Sequence, residues 1–489
     1  MTTTTASSSP PPSTLTRHEC LTLFTITTAC LSILLAAVQE PAADIPLIVS
    51  LALSGLAFSA SYALIRWLGP AFMRAGFRGV DLAKPTRREI PECMGAVCAA
   101  VYLVVMIVFV PFVFYKDVVA ATSGGGNRDV VVKVEDMVEK GVFLHRFPHS
   151  KLASYLSAMV SLHTVAALGL ADDLFDIRWR HKFFIPAFAA IPLLVVYAVD
   201  FGVTSVVVPR LLQPYLGQLL DLGGWYYAYM SAVAIFGPNS INILAGINGI
   251  EVSQSIVIAL LLALNDSLYL LPPDTFLPRL AGFSSKPHPH PATDSHLFSL
   301  SFLLPFLAVS FALLCHNKYP AKVFVGDTYC YFAGTVFVVV GILGHFSKTL
   351  LLLLLPQTFN FIYSAPQLFG LVPCPRHRLP KFNARTGLLE PSVTVWSAER
   401  QPHWIVEWGL KTLGRLRLLR VVTETDEEGR ERIVETSNFT ILNLWLVWRG
   451  PMKESRLTLE ITGLQVVMGV LGLVVRHRLA LLVFSQDNI

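Results

Sequence analysis

Charge is scarce in this chain. Of 489 residues only 15% are Asp, Glu, Lys or Arg, while 53% are hydrophobic. Soluble domains carry about 25% charged residues, so a water-facing globular fold of this length is excluded. Cysteine is sparse too: seven in all, an odd number, mostly inside or beside apolar runs and with no Cys-x-x-Cys pair. That excludes a disulfide or zinc framework and leaves small core residues. No small-residue cleavage site follows the apolar run 20–38, so a removed signal peptide is not expected. No inverted internal repeat is visible, and transporters usually carry one.

What the chain has is hydrophobic length. Its mean hydropathy is +0.57, and a spanning helix needs about 20 mostly apolar residues. Spans are predicted at 45–67, 95–115, 152–171, 183–199, 225–244, 252–271, 297–315, 323–343, 346–367 and 459–484, about ten in all. The fold class is an all-α polytopic membrane protein, because only helices satisfy their own backbone in lipid along such runs. A disordered Ser/Thr/Pro-rich tail is expected at 1–19 and an extra hydrophobic segment at 20–44, which spans, lies at the interface or acts as an anchor. The transmembrane core is 45–372, a small α/β insert follows at 373–456, and the last helix and C-terminus occupy 457–489. Within the insert, 393–396, 417–423 and 433–436 have strand character, with a turn at 426–429.

Alternate loops differ in basic charge. One set holds Arg66, Arg74, Arg78, Lys84, Arg87 and Arg88, then Arg178, Arg180 and Lys182, then Lys318 and Lys322, then the stretch from Arg376. The positive-inside rule places this set in the cytosol. On the other face lie the flexible loop at Gly124 and the tract Pro287-His288-Pro289-His290-Pro291, which reads as a metal tract or, more blandly, a linker. The sequon at Asn438 then faces the cytosol and stays unmodified, and membrane proximity disfavours the one at Asn265.

Four polar groups interrupt the apolar runs on the cytosolic side. Asp172, Asp173 and Asp176 end one run, and on a helix Asp172 and Asp176 share a face. Acids near a bilayer centre cost about 2.5–3.5 kcal/mol each. They form a metal or general-base site, or a membrane-edge cap paired with Arg178 and Arg180. Asn239, Asn242 and Asn248, with Gly246 and Gly249 between and beside them, form a ligand-facing helix end or an interhelical hydrogen-bond set. Asp327 opens a long apolar helix, as N-cap or as anionic ligand for a divalent cation. Arg376, His377 and Arg378, framed by prolines, form a stiff cationic clamp or a basic juxtamembrane patch. Acids for a metal, amides for a metal or a base, and cations for phosphate together match metal-assisted phosphoryl transfer at a membrane surface.

Ala171-Asp172-Asp173, Arg178-Trp179-Arg180-His181-Lys182, the stretch 241–249, Phe324-Val325-Gly326-Asp327-Thr328, Gly341 to Lys348 and Pro373 to Arg378 resemble the polyprenyl-phosphate N-acetylhexosamine-1-phosphate transferases. The match runs from about residue 45 to the C-terminus, and Arg178–Lys182 and Arg376–Arg378 point to the members that use dolichol. The resemblance implies transfer of GlcNAc-1-phosphate from UDP-GlcNAc to dolichyl phosphate, releasing UMP, as the first step of lipid-linked oligosaccharide synthesis. It implies Mg²⁺, inhibition by tunicamycin, a homodimer, no nucleic acid, and the endoplasmic reticulum membrane with the site facing the cytosol. It assigns Mg²⁺ to Asn242 and Asp327, phosphate oxygens to Lys182, and essential acidic roles to Asp172 and Asp173. Nucleotide contacts fall to Asp81, Leu82, Glu92, Asn248 and Phe324, and the N-acetylglucosamine to Arg376, His377 and Arg378. Asp176 stands where some relatives carry Asn. A nucleotide-sugar or lipid-phosphate transporter is the alternative.

Overall fold

The computed structural model describes residues 14–39, 45–84, 88–115, 148–282, 290, 292–375, 378–397, 401–425 and 431–484. The tail 1–13, the loop at Gly124, His288, the turn at 426–429, and Arg376 and His377 lie outside the described residues.

The helices that frame the bundle and the site are α1 (Arg17–Gln39), α2 (Ile45–Arg74), α3 (Gly95–Val113), α4 (His149–Phe175), α5 (Trp179–Lys182), α6 (Ile185–Ala189), α7 (Ile191–Asp200), α8 (Gly224–Ile243), α9 (Ile250–Leu270) and α10 (Thr293–Asn317), with short helical turns at Gln213–Leu216 and Phe276–Ala281 between them. Then come α11 (Asp327–Leu343), α12 (Ser347–Leu353) and α13 (Leu355–Leu368). The short strands β1 (Arg78–Val80) and β2 (Glu89–Pro91) pair antiparallel between α2 and α3. Among the described residues seven helices are long and apolar enough to cross a membrane: α1, α2, α3, α4, α9, α10 and the final helix.

Two expected spans are not single helices. The run 183–199 breaks at Ala190 into α6 and α7, and 346–367 breaks at Leu354 into α12 and α13. Pro186, Pro192 and Pro356 each sit in the first turn of a new helix, where their missing N–H costs nothing. Hydropathy adds up across such breaks, and the expected count of ten is not confirmed.

The centre of the bundle is α11. Every residue from Thr328 to Leu343 is buried, as an all-round apolar helix requires. Its neighbours come close because glycines face it. A Cβ on Gly169 of α4 would lie 2.6 Å from Thr328 Cα, and one on Gly237 of α8 would lie 3.0 Å from Gly334 O. This is the small-residue packing that membrane helices rely on where lipid removes the hydrophobic drive. Helix α1 packs on α2: Tyr62 Oη donates to Glu19 at 2.6 Å, and Arg66 Nη2 donates to Thr14 O at 3.0 Å.

The insert folds onto the bundle. The hairpin β3 (Lys381–Asn383) and β4 (Leu388–Glu390) is followed by β5 (Val393–Val395), α14 (Trp404–Arg415), β6 (Val421–Thr425), β7 (Glu431–Ser437) and α15 (Ile441–Arg449). Strands β5, β7 and β6 form an antiparallel sheet in that order. The strand expected at 417–423 starts only at Val421, after Arg417 takes a left-handed turn at φ +57°. Trp396, Leu410, Leu419, Ile433, Phe439 and Leu444 share a core with Tyr363 of α13. The final helix α16 (Glu454–Val474) then re-enters the bundle. Both sequon asparagines are buried. Asn438 is 1% exposed and accepts from Thr394 Oγ1 at 2.6 Å, while Asn265 is 1% exposed and meets His477 Nε2 at 2.9 Å. His290 is no free linker residue either, because its ring packs edge-on against Tyr269.

Candidate active site

The acids gather where α4, α8 and α11 end or begin. Asp172 is buried in the last turn of α4, 4% exposed. Its carboxylate takes the ammonium of Lys182, from α5, and the backbone N–H of Ile177 at 3.0 Å. The same Lys182 Nζ donates to Asp327 Oδ2 at 3.1 Å. Asn242, in the last turn of α8, sends Nδ2 to that same oxygen at 3.1 Å. Asp327 is therefore the meeting point of three elements. Lys182 lies outside the spans. Burial works against its charge, but the Asp327 and Asp172 carboxylates outweigh this and hold the ammonium above its ordinary pKa.

Asp173, a quarter turn from Asp172, does something else. It accepts from Asp327 N at 2.6 Å, Thr328 N at 3.1 Å and Thr328 Oγ1 at 2.5 Å. It caps α11 from a neighbouring helix. The local N-cap residue is Gly326 at φ +80°, so Asp327 is not the cap and its side chain stays free for other partners. The loop before it is pinned by backbone bonds from Phe324 N to Pro91 O at 2.7 Å and from Gly95 N to Val325 O at 2.8 Å.

Asp176 leaves this cluster. The helix ends at Phe175, and Asp176 takes a left-handed conformation, φ +48°, and is exposed. The face expected for Asp172 and Asp176 therefore does not form. The base paired with Asp172 is Lys182, not Arg178, the partner under the membrane-edge-cap alternative. The Arg180 side chain lies outside the described residues.

Glu92, just after β2, closes one side. A Cβ on Gly79 would lie 2.6 Å from Phe324 Cδ2 and 3.3 Å from Glu92 Oε2, so β1 presses on both. Burial, then the charges of Asp173 and Asp327, push the Glu92 pKa up from 4.5. With the folded pKa above the unfolded one, the ionised form strains the fold at neutral pH and the strain fades on acidification. Glu92→Gln is therefore expected to raise the melting temperature at pH 7 and to lose that gain below about pH 4.5, the unfolded value. Thermal unfolding at both pH values checks it, and an equal gain at both would discount the charge argument.

A second cluster adjoins the first. Lys84 Nζ donates to Asp81 Oδ2 at 2.8 Å, Asn248 Oδ1 at 2.8 Å and Glu454 Oε2 at 2.9 Å, and lies 4.4 Å above the Tyr319 ring. Asn248 also accepts from Ala321 N at 2.9 Å and donates its backbone N–H to Glu454 Oε1 at 2.7 Å. Its amide oxygen is thus committed to Lys84 and Ala321. Asp81 is buried, whereas Leu82 is 61% exposed. The sequence reading missed Glu454 altogether and counted Lys84 only as a loop base. The one signal for Glu454 is an acid opening the last apolar helix.

The three asparagines divide their labour. Asn239 Nδ2 donates to Ile235 O at 2.8 Å and Phe183 O at 3.2 Å, the interhelical role. Asn242 and Asn248 reach the two clusters. Arg378 borders the loop between them, since a Cβ on Gly246 would strike the side chain of the next residue, Leu379. Arg378 O accepts from Asn443 Nδ2 at 2.8 Å, and its Nη1 is buried without a partner among the described residues. An unpaired buried guanidinium N–H is costly, and an anionic or hydroxyl-bearing ligand would satisfy it.

Asp172 and Asp327 thus share one ammonium, with Asp173 and Glu92 beside them. The oxygen donors of Asp327 and Asn242, with Asn242 turned to present Oδ1, suit a hard cation such as Mg²⁺, which takes one or two carboxylates and completes its shell with water and phosphate. Among the described residues no group of three or more His, Cys, Asp or Glu could hold a metal by itself, so substrate oxygens would have to complete the shell.

The profile of glycosyl transferase family 4 matches residues 155–345, which hold both ends of the Asp172–Asp327 cluster. The chain is 54% identical over 427 residues, 87% of its length and 90% of the other, to the UDP-N-acetylglucosamine–dolichyl-phosphate N-acetylglucosaminephosphotransferase of Saccharomyces cerevisiae. It is 49% identical to that of Schizosaccharomyces pombe over 445 residues, 91% of this chain and 95% of the other. It is 37% identical to that of Dictyostelium discoideum over 428 residues, 85% and 86%. Membrane-length helices with a phosphate-suited cluster at one end define a multi-pass membrane phosphotransferase. Within that class the chain belongs to the UDP-N-acetylglucosamine–dolichyl-phosphate N-acetylglucosaminephosphotransferase family. The transporter alternative finds no support among these relatives.

Proposed function

We propose that this protein transfers GlcNAc-1-phosphate from UDP-GlcNAc to dolichyl phosphate, giving GlcNAc-diphosphodolichol and UMP. The observation that carries it is the 54% identity, over 87% of its length, to a relative named for that reaction. The convergence of Asn242, Asp327 and Lys182 supplies the chemistry.

A phosphate monoester has its second pKa near about 6 and is mostly a dianion at neutral pH. The acceptor oxygen therefore needs little help from a base. It attacks the β-phosphorus in line, a new phosphorus–oxygen bond to dolichyl phosphate forms, and the bond to the UMP oxygen breaks. Asp327 and Asn242 would hold Mg²⁺, which when bound offsets the repulsion between the two anions. Lys182, oriented by Asp172, meets phosphate oxygens. Asp173 fixes the start of α11 and so the place of Asp327. Lys84 and Glu454 set Asn248 against the uracil, with Phe324 packed on the base and Asp81, Leu82 and Glu92 around the nucleotide. Arg378, with Arg376 and His377, holds the N-acetylglucosamine. The site faces the cytosol from the endoplasmic reticulum membrane in a homodimer, and tunicamycin blocks it.

Purified protein given UDP-GlcNAc, Mg²⁺ and dolichyl phosphate is expected to release UMP in step with lipid product, and to stop when EDTA is added. No UMP in the complete mixture would remove the proposal. Exchange of labelled UMP into UDP-GlcNAc without acceptor would replace direct attack with a covalent aspartyl intermediate.

A further inference from the structure

A string of buried amides runs through the bundle behind the acidic cluster. It starts at the break between α12 and α13, where Leu353 O accepts from Gln465 Nε2 of α16 at 2.8 Å. Gln465 Oε1 accepts from Gln357 Nε2 of α13 at 2.7 Å, and the same Nε2 reaches Gln254 Oε1 of α9 at 2.8 Å. Gln254 Nε2 then donates to Leu244 O at 2.7 Å and Ile241 O at 3.3 Å. These last two carbonyls belong to the end of α8, on either side of Asn242. Gln254 is 0% exposed, and Gln357 and Gln465 are 1% exposed.

Three amides this deep in a membrane bundle are costly unless they find partners. Simple helix glue would join side chain to side chain. This string instead ends on two sets of main-chain carbonyls, both at places where a helix stops. A helix end leaves its last carbonyls without intrahelical donors. At α8 the chain leaves the helix at Leu244, ψ +69°, with no C-terminal glycine turn to satisfy them. Gln254 supplies the missing donor.

We infer that Gln254 is a positioning residue: by holding the Ile241 and Leu244 carbonyls it fixes the end of α8 so that Asn242 meets Asp327. Gln357 and Gln465 hold Gln254 in turn and tie this setting to α16, the helix that carries Glu454 at its start. The inference rests on the proposed phosphotransfer only for its kinetic readout. Its structural readout is independent of any substrate.

Four forms of the full-length protein test it: wild type, Gln254→Leu, Asn242→Ala and the double variant. A misplacement of about 1 Å at a reacting group costs about 100-fold, so Gln254→Leu is expected to lower kcat by about 10- to 100-fold with KM for UDP-GlcNAc within about twofold. In the Asn242→Ala background it should cost less than about twofold more, because the group it positions is gone. Losses that multiply in the double variant would overturn the inference. Amide hydrogen exchange should rise across 241–245 in Gln254→Leu and stay at the wild-type level in α2 and α10, and at Asn248, which Lys84, Glu454 and Ala321 hold separately. An unchanged 241–245 segment would overturn it even if the substrates proved to be others. If Gln254→Leu does not fold, Gln357→Leu, which removes only the middle amide, should show the same pattern in weaker form, and an additive loss there would count against it equally.

Discussion

Asp327→Asn is expected to lower turnover by at least about 100-fold, the scale seen when a group that stabilises transition-state charge is removed. Excess Mg²⁺ should not restore it. The oxygen at stake, Oδ2, receives both Lys182 Nζ and Asn242 Nδ2 at 3.1 Å. An amide in its place keeps the volume and loses the charge. Lys182 then keeps only Asp172 as an anionic partner, and a divalent cation loses its anionic ligand. The fold should not change, because the backbone N–H of residue 327 still bonds Asp173 Oδ1. The measurement is UMP release across a range of Mg²⁺ concentrations, with a melting temperature as control. Turnover within a few-fold of wild type at an unchanged melting temperature would take Asp327 out of the site.

The polar residues of the candidate site stand out more clearly in the sequence than the breaks in the helices around them. Acids in an apolar run are costly enough that Asp172, Asp173 and Asp327 stand out in a single sequence, and Asn242 stands out for the same reason. Which acid does what was not legible. Asp173 caps α11 across a separation of 154 residues in sequence, and no periodicity reports such a contact. Asp176 was misplaced because the helical period was carried one residue past the end of α4. Glu454 escaped because its partner Lys84 is 370 residues away, and an acid opening a helix has an ordinary reading. The broken spans escaped for another reason. A hydropathy window sums across Pro186, Pro192 and Pro356 and cannot see that the backbone turns there. That Asp327 opens a long apolar helix, by contrast, was legible from the run alone.

Asp173→Ala is expected to remove both stability and activity, which separates it from a residue that only touches substrate. Its carboxylate accepts three hydrogen bonds, two from backbone N–H groups and one from a hydroxyl, at the start of the buried central helix. Hydrogen bonds to charged groups contribute about 1.5–3 kcal/mol each, and a carboxylate at a helix N-terminus adds about 0.3–1 kcal/mol from the helix dipole. These contributions overlap, so a net loss of about 3–5 kcal/mol is the expectation, on the scale of breaking a buried network. Alanine leaves Asp327 N and Thr328 N buried without an acceptor, and Asp327 shifts with them. Asparagine still offers one oxygen, so Asp173→Asn should recover part of the stability and, with it, part of the turnover. Melting temperature and kcat should therefore fall together across the two variants, less in Asp173→Asn than in Asp173→Ala. Both variants folding as well as wild type while losing turnover would instead make Asp173 a residue of the chemistry.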